Sequence, residues 1–278
     1  MKQKLPVSYP DAEFVIGVAL SAAEKINEIY AQDFSVTMKA GNEPVTIADQ
    51  QADSIITSQL RQRFAHDRIF SEENGLDVPA HANKRTWYID PIDGTREFIK
   101  KNGEFAIQIG LADDQKLEFG LVYQPVGQNL YIAAADEGCW WLAPGKEWQR
   151  LHIQPSDEVV LVISRSQPSK SGQKIHDAIG GTGVISHGGV GLKLMAIARG
   201  RGQYYINCSN ATKAWDMAGP EILFNEAGGV VSQFDGSRFS YDPADYQHKK
   251  GLLASSNQEL HQQILKVIKD QKIFKPKK

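Results

Sequence analysis

Cysteine is nearly absent from this chain. Cys139 and Cys208 are the only two among 278 residues. They share no close spacing, which excludes a disulfide framework and a zinc motif, and a reducing cytoplasmic setting fits best. Long apolar runs are missing as well: none approaches the ~18 residues of a membrane span. The opening stretch, MKQKLPVSYPDAEF, carries charge but no apolar core of ~7–15 residues, so no secretory signal is expected there. There is no basic excess either, with 31 Lys and Arg against 33 Asp and Glu and a pI near 6.4. That disfavours a general nucleic-acid surface but leaves room for a small anionic substrate. No internal repeat, P-loop or GxGxxG run is present. The short basic tail, Lys272 to Lys278, reads as a solvated terminus.

At 41% apolar residues the chain can bury a substantial core, as one domain or two of ~100–150 residues. Phe14, Val15, Val18, Ala19, Ala22, Ile26 and Ile29 recur at helical spacing and predict a helix over 11–30. A second helix is expected over 46–64, with Thr46 and Asp49 resembling a capping box, after a loop at Gly41-Asn42-Glu43-Pro44. From Arg68 the period changes to that of strands: 69–70, 86–90, 105–111, 118–123, 130–135 and 139–142. Their short turns predict an antiparallel sheet packed by the two leading helices. A polar stretch at 152–157 marks a boundary between subdomains 1–153 and 154–278. Beyond it strands and helices alternate in α/β style, ending in a helix with Leu260, Ile264, Val267 and Ile268 inward.

The most informative residues are Asp90-Pro91-Ile92-Asp93-Gly94-Thr95, which follow the apolar run Trp87-Tyr88-Ile89. Two acids at a strand end are costly to desolvate without cations, so a divalent metal between them is the simplest expectation. The Gly-Thr step beyond offers backbone N–H groups that suit a phosphate. Four further features join this one: Asp49 near a helix start, Ser71-Glu72-Glu73 after a strand, Trp215-Asp216 at a helix start, and His187-Gly188-Gly189-Val190-Gly191 with Lys193 close behind. Each has an ordinary reading alone: dipole or cap residues, surface charge, a plain connection. Pro220 close behind Asp216 places it near the start of that helix.

Together these strings resemble the inositol monophosphatase superfamily of magnesium-dependent, lithium-sensitive phosphatases. DPIDGT, the SEE upstream and WDMAGPEILFNEAGG downstream carry the likeness, in order, over nearly the whole chain. The continuation REFIKKNGEF after DGT, and Ile163-Ser164-Arg165-Ser166, are similar to the bacterial CysQ-type 3′(2′),5′-bisphosphate nucleotidases. The resemblance implies a layered αβαβα sandwich of the inositol monophosphatase and fructose-1,6-bisphosphatase type, with the site between two subdomains. It implies metal ligation by Glu72, Asp90, Asp93, Asp216 and the Ile92 carbonyl, and a phosphate turn at Gly94 and Thr95. It also implies that Asp49 pairs with Thr95, and that these two and Glu72 orient the attacking water.

The cofactor implied is Mg²⁺, two or three ions, which favours oxygen ligands of this kind and can activate water and stabilise a leaving alkoxide. No Cys, Ser or His nucleophile is needed, and none of the seven His residues falls in a catalytic motif. The substrate implied is adenosine 3′,5′-bisphosphate, cleaved to AMP and phosphate, which would recycle a by-product of sulfate assimilation. Its second phosphate needs a cation. Lys193 is the first candidate, after a Gly189 turn whose family serines are replaced here by Val190 and Gly191; Arg165 and Lys213 are weaker ones. Residues 207–213 also depart from the nucleotidase pattern. An inositol or sugar phosphate monoesterase, and a non-catalytic metal-binding regulator, are the alternatives. The partners expected are a small phosphate ester and no nucleic acid polymer, in a monomer or homodimer, with peripheral association with the inner membrane left open.

Overall fold

The computed structural model describes residues 4–38 and 44–273. Most of the expected loop at 41–44 and the last five residues of the basic tail lie outside the described residues.

The helical period of the first third is realised as α1 (Ala12–Tyr30) and α2 (Ile47–Arg63). Val15, Val18, Ala22 and Ile26 of α1 meet Ala48, Ala52, Ile56 and Leu60 of α2 in one buried cluster. The alanines let the two helices approach closely, and each fully buried isoleucine or leucine contributes about 1.5–3 kcal/mol. Thr46 caps α2: its Oγ1 accepts the Ala48 N–H, and Asp49 accepts the Thr46 N–H in return. A small antiparallel ribbon, β1 (Val36–Met38) with β2 (Pro44–Thr46), stands between the helices. Three-residue strands carry too little alternation to be read from sequence.

The next strands are β3 (Arg68–Ser71), β4 (Gly75–Asp77), β5 (Arg85–Asp93), β6 (Ala106–Asp113), β7 (Lys116–Gln124), β8 (Asn129–Ala134), β9 (Gly138–Leu142) and β10 (Gln149–Leu151). They form one eight-stranded sheet in the order β10-β9-β8-β7-β6-β5-β3-β4. It is not wholly antiparallel as expected, because β3 lies parallel to β5. The chain turns back through β4 on the sheet's edge before entering β5. A one-turn helix, α3 (Thr95–Ile99), follows β5.

The second half contributes β11 (Val160–Ser164), α4 (Lys170–Ala178), β12 (Gly183–His187), α5 (Val190–Ala198), β13 (Tyr204–Asn207), β14 (Thr212–Lys213), α6 (Ala214–Glu226), β15 (Val230–Ser232), β16 (Gln247–His248), β17 (Leu252–Ser255) and α7 (Gln258–Asp270). Five strands make a second sheet, ordered β12-β11-β13-β17-β15. Its α/β portion is parallel, β12-β11-β13, while β17 runs antiparallel to both β13 and β15.

Alternation along the strands sets the layers. On β5, Trp87 and Ile89 face α1 and α2, whereas Tyr88 faces α5 and α6. Those two helices also meet Val162, Tyr205 and Ala254 of the second sheet. The outer face of that sheet, with Leu161, Tyr204 and Leu253, packs on Ile175 of α4 and on Leu260, Ile264 and Ile268 of α7. The result is the expected αβαβα sandwich.

Helix α6 lies between the sheets and is buried on nearly all sides from Ala214 to Phe224, as a central layer requires. Its backbone presses directly on β6 and β7: a Cβ on Gly110 would lie 2.5 Å from Ala218, and one on Gly219 would lie 2.9 Å from the Ile109 carbonyl. Pro220 is not at the helix start as expected, but is the seventh residue of α6. Contacts on both faces hold the helix there, although proline leaves the Asp216 carbonyl without its usual N–H partner.

Candidate functional site

The end of β5 gives the site its shape. Asp90 pairs with Gln108 of β6 and Asp93 with Ala106, so one extra residue is inserted on β5. In a regular strand, residues three apart point to opposite faces; a one-residue bulge restores them to the same face. Asp90 and Asp93 are therefore gathered by the irregularity around Pro91. Gly94 follows at φ 99°, a left-handed conformation that turns the chain into α3 with Thr95 as its first residue.

A cavity of about 250 Å³ opens here, between the two sheets. Glu72, Asp90, Ile92, Asp93, Gly94, Thr95, Gly189, Lys193 and Asp216 all line it. Asp49 stands behind Thr95, whose Oγ1 donates to Asp49 Oδ1 at 3.2 Å and lies 3.3 Å from the Ile92 carbonyl. The turn carrying Glu72 is pinned by its N–H on the Ile89 carbonyl, 3.0 Å, and by the Asn74 N–H on Ser71 Oγ. Asp216 is the third residue of α6, its Oδ2 accepting the Lys213 N–H at 2.7 Å. The lysine side chain has no acceptor to return, so only half of a capping box exists.

Asp93 bridges the two halves of the chain. Its two oxygens accept the N–H groups of Val190 and Gly191, each at 2.8 Å, at the first turn of α5. Gly189 makes this approach possible: it sits at φ 53°, and a Cβ there would be 2.6 Å from Asp93 Oδ2. Lys193, one turn on, is buried at 3% exposure, with its ammonium 5.0 Å from the Tyr205 ring.

Burial raises the carboxyl pKa of Asp90 and Asp216 far above the ordinary range, and the Glu72 charge adds to both. Asp93 is raised by burial too, against the Lys193 charge and the two α5 N–H bonds. Asp49 is raised by burial against its bonds from Thr46. Lys193 is pushed down by burial and partly restored by Asp93. Several acids thus share one desolvated space with few cations, and the donors are all oxygens, which suits a hard divalent cation. In this conformation, among the described residues, no three His, Cys, Asp or Glu side chains converge tightly enough to enclose a metal ion. One oxygen each of Asp90 and Asp216, and both of Asp93, accept backbone N–H groups. Each of these oxygens keeps a second lone pair for a ligand.

Residues 10–272 match the profile of the inositol monophosphatase family. The chain belongs to that family. It is 33% identical to the 3′(2′),5′-bisphosphate nucleotidase CysQ of Escherichia coli strain K12 over 235 residues, 83% of this chain and 94% of CysQ. It is 24% identical to human inositol monophosphatase 1 over 270 residues, covering 92% and 93% of the two chains. The solved structure of an IMPase from Thermotoga maritima superposes with a TM-score of 0.78 at 22% identity, covering 94% of this chain and 98% of that one. A phosphatase activity on a small phosphate ester follows from this membership. Among the described residues no helix is long and apolar enough to cross a membrane.

In this inositol monophosphatase family chain the cavity also holds groups that sequence reasoning missed. Glu97, 4% exposed, lines the cavity, acts on Lys193 electrostatically, and accepts Ser166 Oγ at 2.5 Å. It lies inside the string read as a branch signature, and only its separation of 69 residues from Ser166 hid its role. Tyr205 and Asn207 of β13 complete the far wall. Arg165, a candidate for the second phosphate, lies off the cavity: its guanidinium grips Glu104 at 2.5 and 2.7 Å. Glu226, at the end of α6, takes the N–H groups of Asp136 and Gly138 and so ties that helix to the β8–β9 turn.

Proposed function

We propose that this protein is a Mg²⁺-dependent 3′(2′),5′-bisphosphate nucleotidase that removes the 3′-phosphate of adenosine 3′,5′-bisphosphate, giving AMP and phosphate. The observation that carries this reading is one cavity joining a buried acidic wall with a buried ammonium, Lys193. The 33% identity to CysQ supports the nucleotide branch.

Glu72, Asp90, Asp93, Asp216 and the Ile92 carbonyl would hold two or three Mg²⁺ ions. When bound, these ions supply neutralisation of phosphate charge, acidification of water and stabilisation of the leaving oxygen. The protein's own groups do the rest. Thr95 Oγ1 donates its hydrogen bond to Asp49, which leaves the hydroxyl lone pairs to accept a hydrogen bond from the attacking water and so orient it. Glu72 holds that water from the other side. Gly94 and Thr95 present backbone N–H groups at the start of α3 to the phosphoryl oxygens. Lys193 meets the second phosphate, where it replaces part of the water lost on binding. In this reading residues 1–153 and 154–278 act as two subdomains that close the site between them.

The test is phosphate release by purified protein with Mg²⁺, from adenosine 3′,5′-bisphosphate and from inositol 1-phosphate side by side. The nucleotide is expected to be the better substrate. A reversed ranking would assign the same scaffold to inositol or sugar monophosphates.

A further inference from the structure

A second polar cavity of about 290 Å³ lies on the far side of α5 from the acidic wall, lined by residues including Tyr131, His187, Arg199 and Arg201. We propose that it is a binding site for a small oxyanion, either free phosphate or a compact phosphate monoester.

The argument starts from Arg199, which is held before any ligand arrives. Its guanidinium carbon stands 3.8 Å from the centre of the Trp141 ring, and one terminal nitrogen donates to Tyr131 Oη at 3.3 Å. Trp141 is fixed in turn, stacked on Tyr131 at 11° and donating to Asn129 at 3.0 Å. An arginine ordered in this way loses little side-chain entropy when an anion binds. Arg201 is exposed at the rim, and both guanidinium charges act on the buried Tyr131 phenol.

The other lining groups are satisfied internally. Asn129 donates to Gln124, and Gln124 donates to the Gly103 carbonyl. The one acid on the lining, Glu104, is neutralised by a two-pronged bond from Arg165. His187 is pushed towards its neutral form by burial. What remains for a ligand is a pair of arginine forks in a concave polar space, a geometry that fits phosphate oxygens. The carbonyl end of α5 explains why cations are favoured there, but it does not explain a cavity in front of them. Apart from Leu192 and Ala196 the lining residues carry polar or charged groups, which suits a small oxyanion.

The experiment titrates inorganic phosphate, and separately phenyl phosphate, into the full chain kept in EDTA, where metal-dependent binding at the acidic wall is suppressed. Calorimetry is run on wild type, on Asp93→Asn, and on the double variant Arg199→Gln/Arg201→Gln. Saturable binding is expected in wild type and in Asp93→Asn, weakened about tenfold or more in the double variant. Arg201→Gln alone, on the exposed rim, serves if the double variant fails to fold, and it should weaken binding several-fold. Binding of free phosphate only would restrict the ligand to the inorganic ion; binding of both would admit monoesters. Absence of binding in wild type, or equal binding in the arginine variants, would overturn the proposal. So would sedimentation showing that the arginine face is closed in a dimer that the substitutions break.

Discussion

One wall of the main cavity, built by β5, the turn after β3 and the start of α6, is almost wholly acidic. The facing wall, from β11, β13 and α5, offers hydroxyls, an amide and one buried ammonium. The acidic wall is also the one held by short-range bonds. Its carboxylates are fixed by a strand bulge, by backbone N–H groups and by the cap of α2. The facing wall relies on longer connections, such as Ser166 on Glu97 and Asp93 on the first turn of α5. A phosphoryl group makes the same demands in every phosphate ester, whereas the rest of the substrate varies. In the proposed reading the acidic wall handles the phosphoryl group, and the facing wall is where selection among substrates acts.

The largest effect that can break this division is at Asp93. Asp93→Asn is expected to lower kcat by about a thousandfold or more while circular dichroism stays near wild type, and the melting temperature should shift by only a few degrees, because the Asn amide keeps one of the two bonds to α5. Turnover that survives the change would remove Asp93 from the chemistry of the acidic wall. Gly189 sharpens the comparison because it touches both walls. Gly189→Ala places a Cβ against Asp93 at a positive φ, so kcat should fall about tenfold with a stability loss of about 1–3 kcal/mol. Unchanged kinetics would mean that the contact between Asp93 and α5 has no part in positioning.

The smallest effect is on stability. Asp49, Asp90, Asp93 and Asp216 have raised pKa values, so the folded metal-free protein holds protons that the unfolded chain has released. Its stability should therefore fall as pH rises from about 4, the unfolded carboxylate value, through the folded ones. Glu221, raised to about 7 by burial, adds to the same trend from outside the cavity. In EDTA the melting temperature should fall with pH in calorimetry. Mg²⁺ at a hundredfold excess over its Kd should raise it by roughly 5–10 °C near neutral pH. Asp216→Asn should flatten the EDTA slope; a slope that neither Mg²⁺ nor this change alters would place the cause elsewhere.

The acidic wall was the more legible half in sequence, for a physical reason. DPIDGT, Glu72 and the Thr46–Asp49 cap are local: a few adjacent residues specify a bulge, a turn or a helix start. The long helices were equally legible, since α1 repeats its apolar face over five turns. What escaped was short or distant. β1, β2, β4, β10 and α3 hold too few residues for a period to register. Pro220 was misread because propensity places proline at helix starts, while packing on two sheets holds it in the middle of α6. Glu97 and the grip of Asp93 on α5 depend on partners 69 and about 97 residues away, a separation that no local pattern encodes.

The central claim is that the acidic wall performs the hydrolysis and Lys193 selects a second phosphate. The most direct measurement is kcat/KM for adenosine 3′,5′-bisphosphate and for adenosine 3′-monophosphate, in wild type and in Lys193→Ala, with Mg²⁺. The account predicts that the preference for the bisphosphate collapses at least about tenfold in the variant while the monophosphate value is nearly kept. Equal losses on both substrates would contradict it and place Lys193 with the acidic wall instead.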